Sequence, residues 1–473
     1  MMLREVDPKQ GFKPAKIKLD VTNDKLVGNA GLGTIIELFD SSPLSREFAK
    51  CLPQRISNNS QGSYRMGLMM LASLIHGDDC LDDIEEEFSE NPTAEVFFRG
   101  KIPVAKTFGD LLRDFEIEHL DALSKFLTTM GYSFRKDLNK NLEPPFTPNE
   151  KPTFSVDSTV HEQHGDKIEG CDFNYNGIWC LNSEVVYDEL GLAYAGTLQT
   201  GTTKPGVDGP KLLDQVLVHL RKKKICVPFE KLAHVNGDSA YGFEEFIRVA
   251  QSHHASFTIA ARKNIPWEEQ IDKITDWVEW KYSAKDIDKY SRRKKPLPSR
   301  LLGRWHWSPS WAPQLKFPII IKREWKEDPV FEGCGSWHHH AVITNEDLHL
   351  HGYQEVYERY LLRANMENFI KEAKVNLDAY HLPCLNFKAN HAFLLLILIA
   401  QNILRWVSLS YKPDKPMYAK KLRRKFVFQP GKLVKHARQL TLKISKKFKQ
   451  EVEMLKERLG LNSEKSPQLF STA

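Results

Sequence analysis

Between residues 151 and 260 short β-prone runs alternate with helical stretches, and this alternation restricts the chain more than any other feature. Residues 153–156 read as a strand closed by Asp157. Residues 184–187 and 193–197 read as two more strands, turned at 188–191, and 211–222 as a helix. Residues 232–235 form a strand that stops at Asn236-Gly237-Asp238. A helix at 243–252 and a strand at 256–260 follow. Strands and helices in this order build a layered α/β sheet.

The flanking regions differ from this layer. Residues 1–145 read as a helical domain, with apolar runs at 65–76 and 109–129 and a short basic connector, KIPVAKTF, at 101–108. Asn139, Asn141, Pro144, Pro145, Pro148 and Asn149 mark a linker over 130–150. Residues 264–350 hold eight of the ten tryptophans, the basic run Arg292, Arg293, Lys294, Lys295 and a strand candidate at 317–321, and read as a β-rich insertion. A long helical pattern returns over 354–374. The run AFLLLILIA at 392–400 is half a membrane span, so it reads as a buried helix and no membrane partner is expected. The expected division is 1–145, 150–263, 264–350, 351–410 and 411–473.

Charge is concentrated at the end. From residue 411 onward 17 Lys and Arg stand against five Asp and Glu, leaving +12 in a chain of formal charge +6. Such a region favours a polyanion. Within it lie Lys420, Lys421, Arg423, Arg424 and Lys425, followed by an expected basic helix at 432–459. Seven widely spaced cysteines with no CxxC pair fit a reducing compartment, and the first apolar stretch, which follows Lys16, Lys18 and Asp20, does not read as a secretory signal. The expected location is the bacterial cytoplasm, at the nucleoid.

Asp157 and Asp238 each close a strand, where open α/β sheets commonly place their chemistry. Either one alone reads most simply as a turn residue. Tyr360, Arg363, Glu367 and Lys374 follow at intervals of 3, 4 and 7, which places them on one face of a continuous helix. Considered without the aspartates, that face reads as an exposed salt-bridge surface. Three carboxylates on separate elements suit two divalent cations and phosphodiester chemistry, and hard oxygen ligands favour Mg²⁺ or Mn²⁺.

These residues resemble the DDE transposases of bacterial insertion sequences, in the class marked by Tyr-x2-Arg-x3-Glu-x6-Lys. That signature is complete in Tyr360, Arg363, Glu367 and Lys374. F-S-V-D-S-T around Asp157 and N-G-D-S-A-Y around Asp238, with Tyr241, match the other two acidic motifs. The resemblance implies a ribonuclease-H-like catalytic core interrupted by a β-rich insertion, a helical N-terminal DNA-binding domain and a helical basic C-terminal region. It further implies Asp157, Asp238 and Glu367 as catalytic metal ligands for two Mg²⁺ ions, with Mn²⁺ as a substitute. Tyr241, Tyr360, Arg363 and Lys374 are implied as supporting phosphate or DNA contacts. The implied partners are double-stranded DNA with terminal inverted repeats, a target DNA, and a second copy of the chain in a synaptic homodimer. The 129-residue separation of Asp238 and Glu367 agrees with an insertion there. Family members also use an aromatic ring of the insertion to stack on a base; Trp305, Trp307 and Trp311, clustered after the basic run, are the candidates. One departure stands out: relatives commonly carry Arg two residues before the second Asp, where this chain has Asn236.

Two other readings fit the same residues. One is a nuclease or domesticated transposase that cuts without joining; the other is a non-catalytic DNA-binding protein. Zinc is weaker still. His161, His164, Cys171 and Cys180, or Cys334 with His338, His339 and His340, supply ligand types, but neither spacing matches a paired-ligand pattern.

Overall fold

The computed structural model describes residues 21–55, 62–92, 94–98, 100–141, 151–223, 231–328, 334–436 and 439–459. Cys226, the second part of the expected linker (142–150) and the last residues of the chain lie outside these.

The N-terminal part opens with a short strand, β1 (Lys25–Val27), and continues as helices α1 (Ala30–Asp40), α2 (Leu44–Lys50), α3 (Ser63–His76), α4 (Leu81–Ser89), α5 (Ala94–Phe97), α6 (Ala105–Arg113) and α7 (Ile117–Asn141). Helix α7 is 25 residues long and takes in more than half of the expected linker. The reason is an apolar stripe through Leu120, Leu123, Leu127, Met130, Phe134 and Leu138, all buried.

The central sheet has ten strands. Its first half comprises β2 (Thr153–Glu162), β3 (Asp172–Phe173), β4 (Trp179–Asp188), β5 (Ala193–Gln199), β6 (His234–Gly237) and β7 (Ser256–Ala260), with α8 (Gly209–Lys223) and α9 (Glu244–Ser252) between strands. β4 lies antiparallel between β2 and β5, while β6 and β7 run parallel to β2. β2 is ten residues long and does not stop at Asp157. Its parallel pairing with β6 ends at Val156↔Gly237, but Ser158 to Glu162 go on pairing with β4. Asp157 therefore sits where β2 loses one neighbour and keeps the other.

Residues 264–344 contribute β8 (Val278–Glu279), helix α10 (Ala284–Arg292), β9 (Arg300–Trp307), β10 (Phe317–Glu327) and β11 (Gly335–Thr344). These strands do not form a sheet of their own. β11 pairs antiparallel with β7, so the order β7-β11-β10-β9-β8 prolongs the central sheet. Alternate residues feed opposite faces: Ile319, Ile321 and Ile343 join the main core, while Ile320, Val342 and Leu302 join a smaller cluster with Tyr357 and Tyr360.

The continuous helix expected over 354–374 is two helices, α11 (Tyr353–Leu361) and α12 (Ala364–Asn376), broken at Leu362-Arg363. Helix α13 (Phe387–Tyr411) is long and apolar enough to cross a membrane, yet its most apolar 18-residue stretch is wholly buried within the protein. It packs against α7, α3 and β5. Next come α14 (Ala419–Leu422) and a π-helical turn at Arg423–Val427.

The last part corrects an expectation. Only α15 (Lys446–Arg458) is helical; β12 (Gly431–His436) and β13 (Gln439–Lys443) precede it and close a three-stranded sheet with β1. Pro430-Gly431 cannot continue a helix, and Gln439-Leu440-Thr441-Leu442-Lys443 alternates polar and apolar with period two. The basic region is thus tied to the start of the chain.

Candidate active site

Asp157, in the middle of β2, and Asp238, directly after β6, come from adjacent parallel strands whose pairing ends immediately before them. Asp238 caps the short 3₁₀ turn 239–241, accepting the Ala240 amide at 2.8 Å. Glu367 stands on the first turn of α12 with its side chain 66% exposed, against 15% for Asp157. Arg363, at the N-cap of α12, lies between the carboxylates. Its Nη1 donates to Asp157 Oδ2 at 3.0 Å and its Nη2 to Glu367 Oε1 at 3.4 Å.

The electrostatics are unbalanced. Burial, and then the charge of Asp238, push the Asp157 carboxyl up to about 6, against the pull of Arg363 and the Ser158 amide. Two acids held side by side by strand geometry resist joint ionisation, and an added cation relieves that repulsion. The carboxylates are not drawn into one tight cluster. Among the described residues the one group of three such ligands within 4.8 Å of one another is Asp79, Cys80 and Asp83, on the surface before α4. The donor set Asp157, Asp238, Glu367 is nevertheless all hard oxygen, from three elements, and fits Mg²⁺ or Mn²⁺.

The other residues singled out by sequence have varied places. Tyr360 ends α11 in the smaller core cluster, and its hydroxyl interacts with Arg363. Lys374 donates to the Val160 carbonyl at 2.6 Å and lies over the Tyr380 ring, which fastens α12 to the outer half of β2. Tyr241 is buried and donates to Glu184 Oε1 at 2.7 Å, so it supports the turn after Asp238 from within and has no free path to a phosphate.

Glu184 is the main residue that the sequence reading missed. Fully buried on β4, it accepts the Gly206 amide at 2.7 Å, the Asp208 amide at 2.6 Å and the Tyr241 hydroxyl. It therefore joins the glycine-bearing loop before α8 to the turn that carries Asp238. Burial raises its pKa, and those donors hold it down. A lone acid opening the apolar strand run Val185-Val186-Tyr187 is the available signal, because buried acids are rare unless paired. His340, weighed in sequence only as a zinc ligand, has another place. It reaches across from β11 to the Tyr357 hydroxyl at 2.7 Å and lies against the Tyr360 ring, its pKa lowered to about 4 by burial and by Lys322 and Arg363.

Trp305 and Trp307 alternate with Arg304 on β9. Arg304 faces Tyr353 of α11, so the tryptophans point to the other face, where with Trp311 they pack on the main core. Trp307 and Trp311 flank Phe317, and Arg248 of α9 covers Trp311. These rings are placed as packing on the face opposite Tyr360, so we assign them no base-stacking role. Arg292, Arg293, Lys294 and Lys295 are exposed at the end of α10, a helix with no buried residue; Arg292 pairs with Asp288.

The tail cluster divides. Lys420, Lys421 and Arg424 are exposed, whereas Lys425 pairs with Glu451 at 2.5 Å. Arg423 is buried and donates to the Ile75 and Leu74 carbonyls at 2.7 and 2.8 Å, which satisfies the C-terminus of α3. It is therefore removed from the DNA-contact set. His161 is likewise interior, held by the Ala379 carbonyl and Ser183 Oγ, with burial lowering its pKa to about 4.

Asp157 on one strand, Asp238 directly after its parallel neighbour and Glu367 on a helix have the order expected of the DDE class. The chain belongs to the family described as transposase DDE domain group 1, whose model matches residues 9–461. No curated protein matches the chain. Members of this transposase family generally depend on divalent metal ions.

Proposed function

We propose that this chain is a DNA transposase that binds the terminal inverted repeats of its element, cuts there and joins the freed ends to target DNA. The observation that carries the reading is that Arg363 reaches both Asp157 and Glu367, with Asp238 beside Asp157 on the adjacent strand. The strand order β5-β4-β2-β6-β7, three antiparallel then two parallel, supports a ribonuclease-H-like core. In this reading the active site takes two Mg²⁺ ions, with Mn²⁺ as substitute, and acts within a homodimer that pairs two element ends in the bacterial cytoplasm.

Bound there, the cations supply Lewis-acid activation of the scissile phosphate and of the attacking oxygen. The chain's own groups do the rest. Asp157 and Asp238 give a rigid pair of donors because both backbones are locked in the sheet. Glu367, exposed on its helix, completes the set from the opposite side. Arg363 neutralises Asp157 and Glu367 and is free to turn its fork to a phosphate oxygen when cations take over that charge. Lys374 steadies the outer part of β2. The exposed Arg292–Lys295 run and Lys420, Lys421 and Arg424 attract the backbone without reading sequence.

The test is incubation with Mg²⁺, a duplex ending in the inverted repeats that flank the gene, and a target plasmid. Cleaved and joined products are expected. Cleavage without joining favours a nuclease, and binding with neither favours a non-catalytic protein.

A further inference from the structure

Asn236 stands where the resembled family commonly carries arginine, two residues before Asp238, and it has no exposed surface. A side chain so enclosed does not reach DNA. Its carboxamide is instead fully occupied inside the protein. Nδ2 donates to the Arg359 carbonyl at 2.9 Å, and Oδ1 accepts the Thr258 hydroxyl at 2.5 Å with His234 Nε2 at 3.1 Å.

The Arg359 carbonyl belongs to the last turn of α11, where besides Asn236 it accepts only the Leu362 amide, through a long tightening bond of 3.3 Å. The other end of the same residue is held as well. Arg359 Nη1 donates to Glu346 Oε1 at 2.6 Å, and Glu346 lies 3.4 Å from His234 Nδ1. The circuit Asn236, His234, Glu346, Arg359 closes on itself and joins β6 to the end of α11. Helix α12 starts directly beyond, after the break at Leu362-Arg363, and carries Glu367 on its first turn. Because the two helices are not continuous, the position where α11 stops sets where α12 starts.

We infer that Asn236 is a positioning residue that fixes the separation between Asp238 and Glu367 by capping α11 against β6. This rests on the proposed metal-dependent reading of the carboxylate site. An amide suits the task because it donates to a carbonyl and accepts from a hydroxyl over a short reach. The guanidinium of the commoner arginine has no acceptor with which to answer Thr258.

The experiment uses the full chain. Asn236→Leu keeps the volume roughly and removes both hydrogen-bonding atoms. Thr258→Val leaves Asn236 in place and removes the hydroxyl that orients it. Mn²⁺ affinity is measured by electron paramagnetic resonance, and kcat and KM by Mg²⁺-dependent cleavage of an inverted-repeat duplex. Asn236→Leu is expected to weaken Mn²⁺ binding and lower kcat by about 10–100-fold, the range seen when support behind metal ligands is removed, with KM for DNA unchanged. Thr258→Val is expected to act in the same direction and less strongly. Wild-type Mn²⁺ affinity and kcat in a folded Asn236→Leu protein, or a raised KM with unchanged kcat, overturns the inference. If Asn236→Leu does not fold, unchanged Mn²⁺ affinity in Thr258→Val overturns it. Failure of the underlying reading looks different: the wild-type chain then binds no Mn²⁺, or binds it equally well after Asp157→Asn.

Discussion

The acid pair at Asp157 and the β8–β11 half of the central sheet treat charge in opposite ways. In the half built from β2 to β7, Asp157 is buried beside another acid, Asp238, with Arg363 as its one nearby cation among the groups that shift it. In the half built from β8 to β11, half-buried charges are answered locally. Glu324 pairs with Arg300 at 2.5 Å and with Lys322 at 3.4 Å, and the Arg323 guanidinium lies between the Trp277 and Trp337 rings. Charge matched by its own chain holds a fold together, whereas charge left crowded is reserved for something the chain must bind.

The sharpest way to break this contrast is at the crowded acids. Asp157→Asn, Asp238→Asn and Glu367→Gln each remove a charge and little shape. Each is expected to lower cleavage of an element-end duplex by about a thousandfold or more, several kcal/mol of transition-state stabilisation. Gel-shift affinity for the same duplex should stay near wild type. Near-normal cleavage by any one of them takes that residue out of the set.

Arg363 comes next. Arg363→Ala is expected to reduce kcat by about a hundredfold, as when a single charged donor is taken from a reacting phosphate, and Arg363→Lys to recover only part because the fork is gone. Single-turnover kinetics check it. Full activity in both variants makes the residue a salt bridge and nothing more.

Stability should move in opposite directions in the two halves. The Asp157 pKa is raised from 3.8 to about 6, so protonation favours the folded state. Metal-free protein should accordingly gain stability as pH falls from 7 through 6. Asp157→Asn should be more stable than wild type at pH 8, with the difference shrinking by pH 5. Every tenfold increase in proton affinity on folding is equivalent to about 1.4 kcal/mol. Glu324→Gln should instead destabilise by about 1–3 kcal/mol, since it weakens charge-assisted bonds to Arg300 and Lys322. Thermal melts in chelator at both pH values decide between these signs.

The smallest effect is expected in the tail. Neutralising Lys420, Lys421 and Arg424 together should leave the melting temperature unchanged and weaken binding to all duplexes alike. The slope of log affinity against log salt should flatten by about 0.9 for every phosphate that is no longer neutralised. Arg423→Ala should do the reverse, lowering stability while leaving the salt slope alone. An unchanged slope in the triple variant removes these side chains from the interface.

Local pattern made much of this legible. Strand-forming runs, the apolar core of α13 and the spacing of Tyr360, Arg363, Glu367 and Lys374 are properties of neighbouring residues. The departures came from partners distant in sequence. β2 outruns Asp157 because β4 continues to pair with it. The helix at 354–374 breaks where β6 and the insertion grip its middle through Asn236 and His340. Strands β12 and β13 exist because β1, near the opposite end of the chain, offers them an edge. Glu184 and Arg423 look like surface charges in sequence, and only the folded chain supplies the amides and carbonyls that bury them.

The central claim is that the crowded carboxylates are a cation site completed on DNA. Its most direct test is calorimetric titration of Mn²⁺ into the protein bound to an element-end duplex made uncleavable at the scissile phosphate. Two ions per active site are expected for the wild type, with loss of binding in Asp238→Asn and Glu367→Gln. Equal Mn²⁺ binding by wild type and both variants, or none by the wild type, would contradict it.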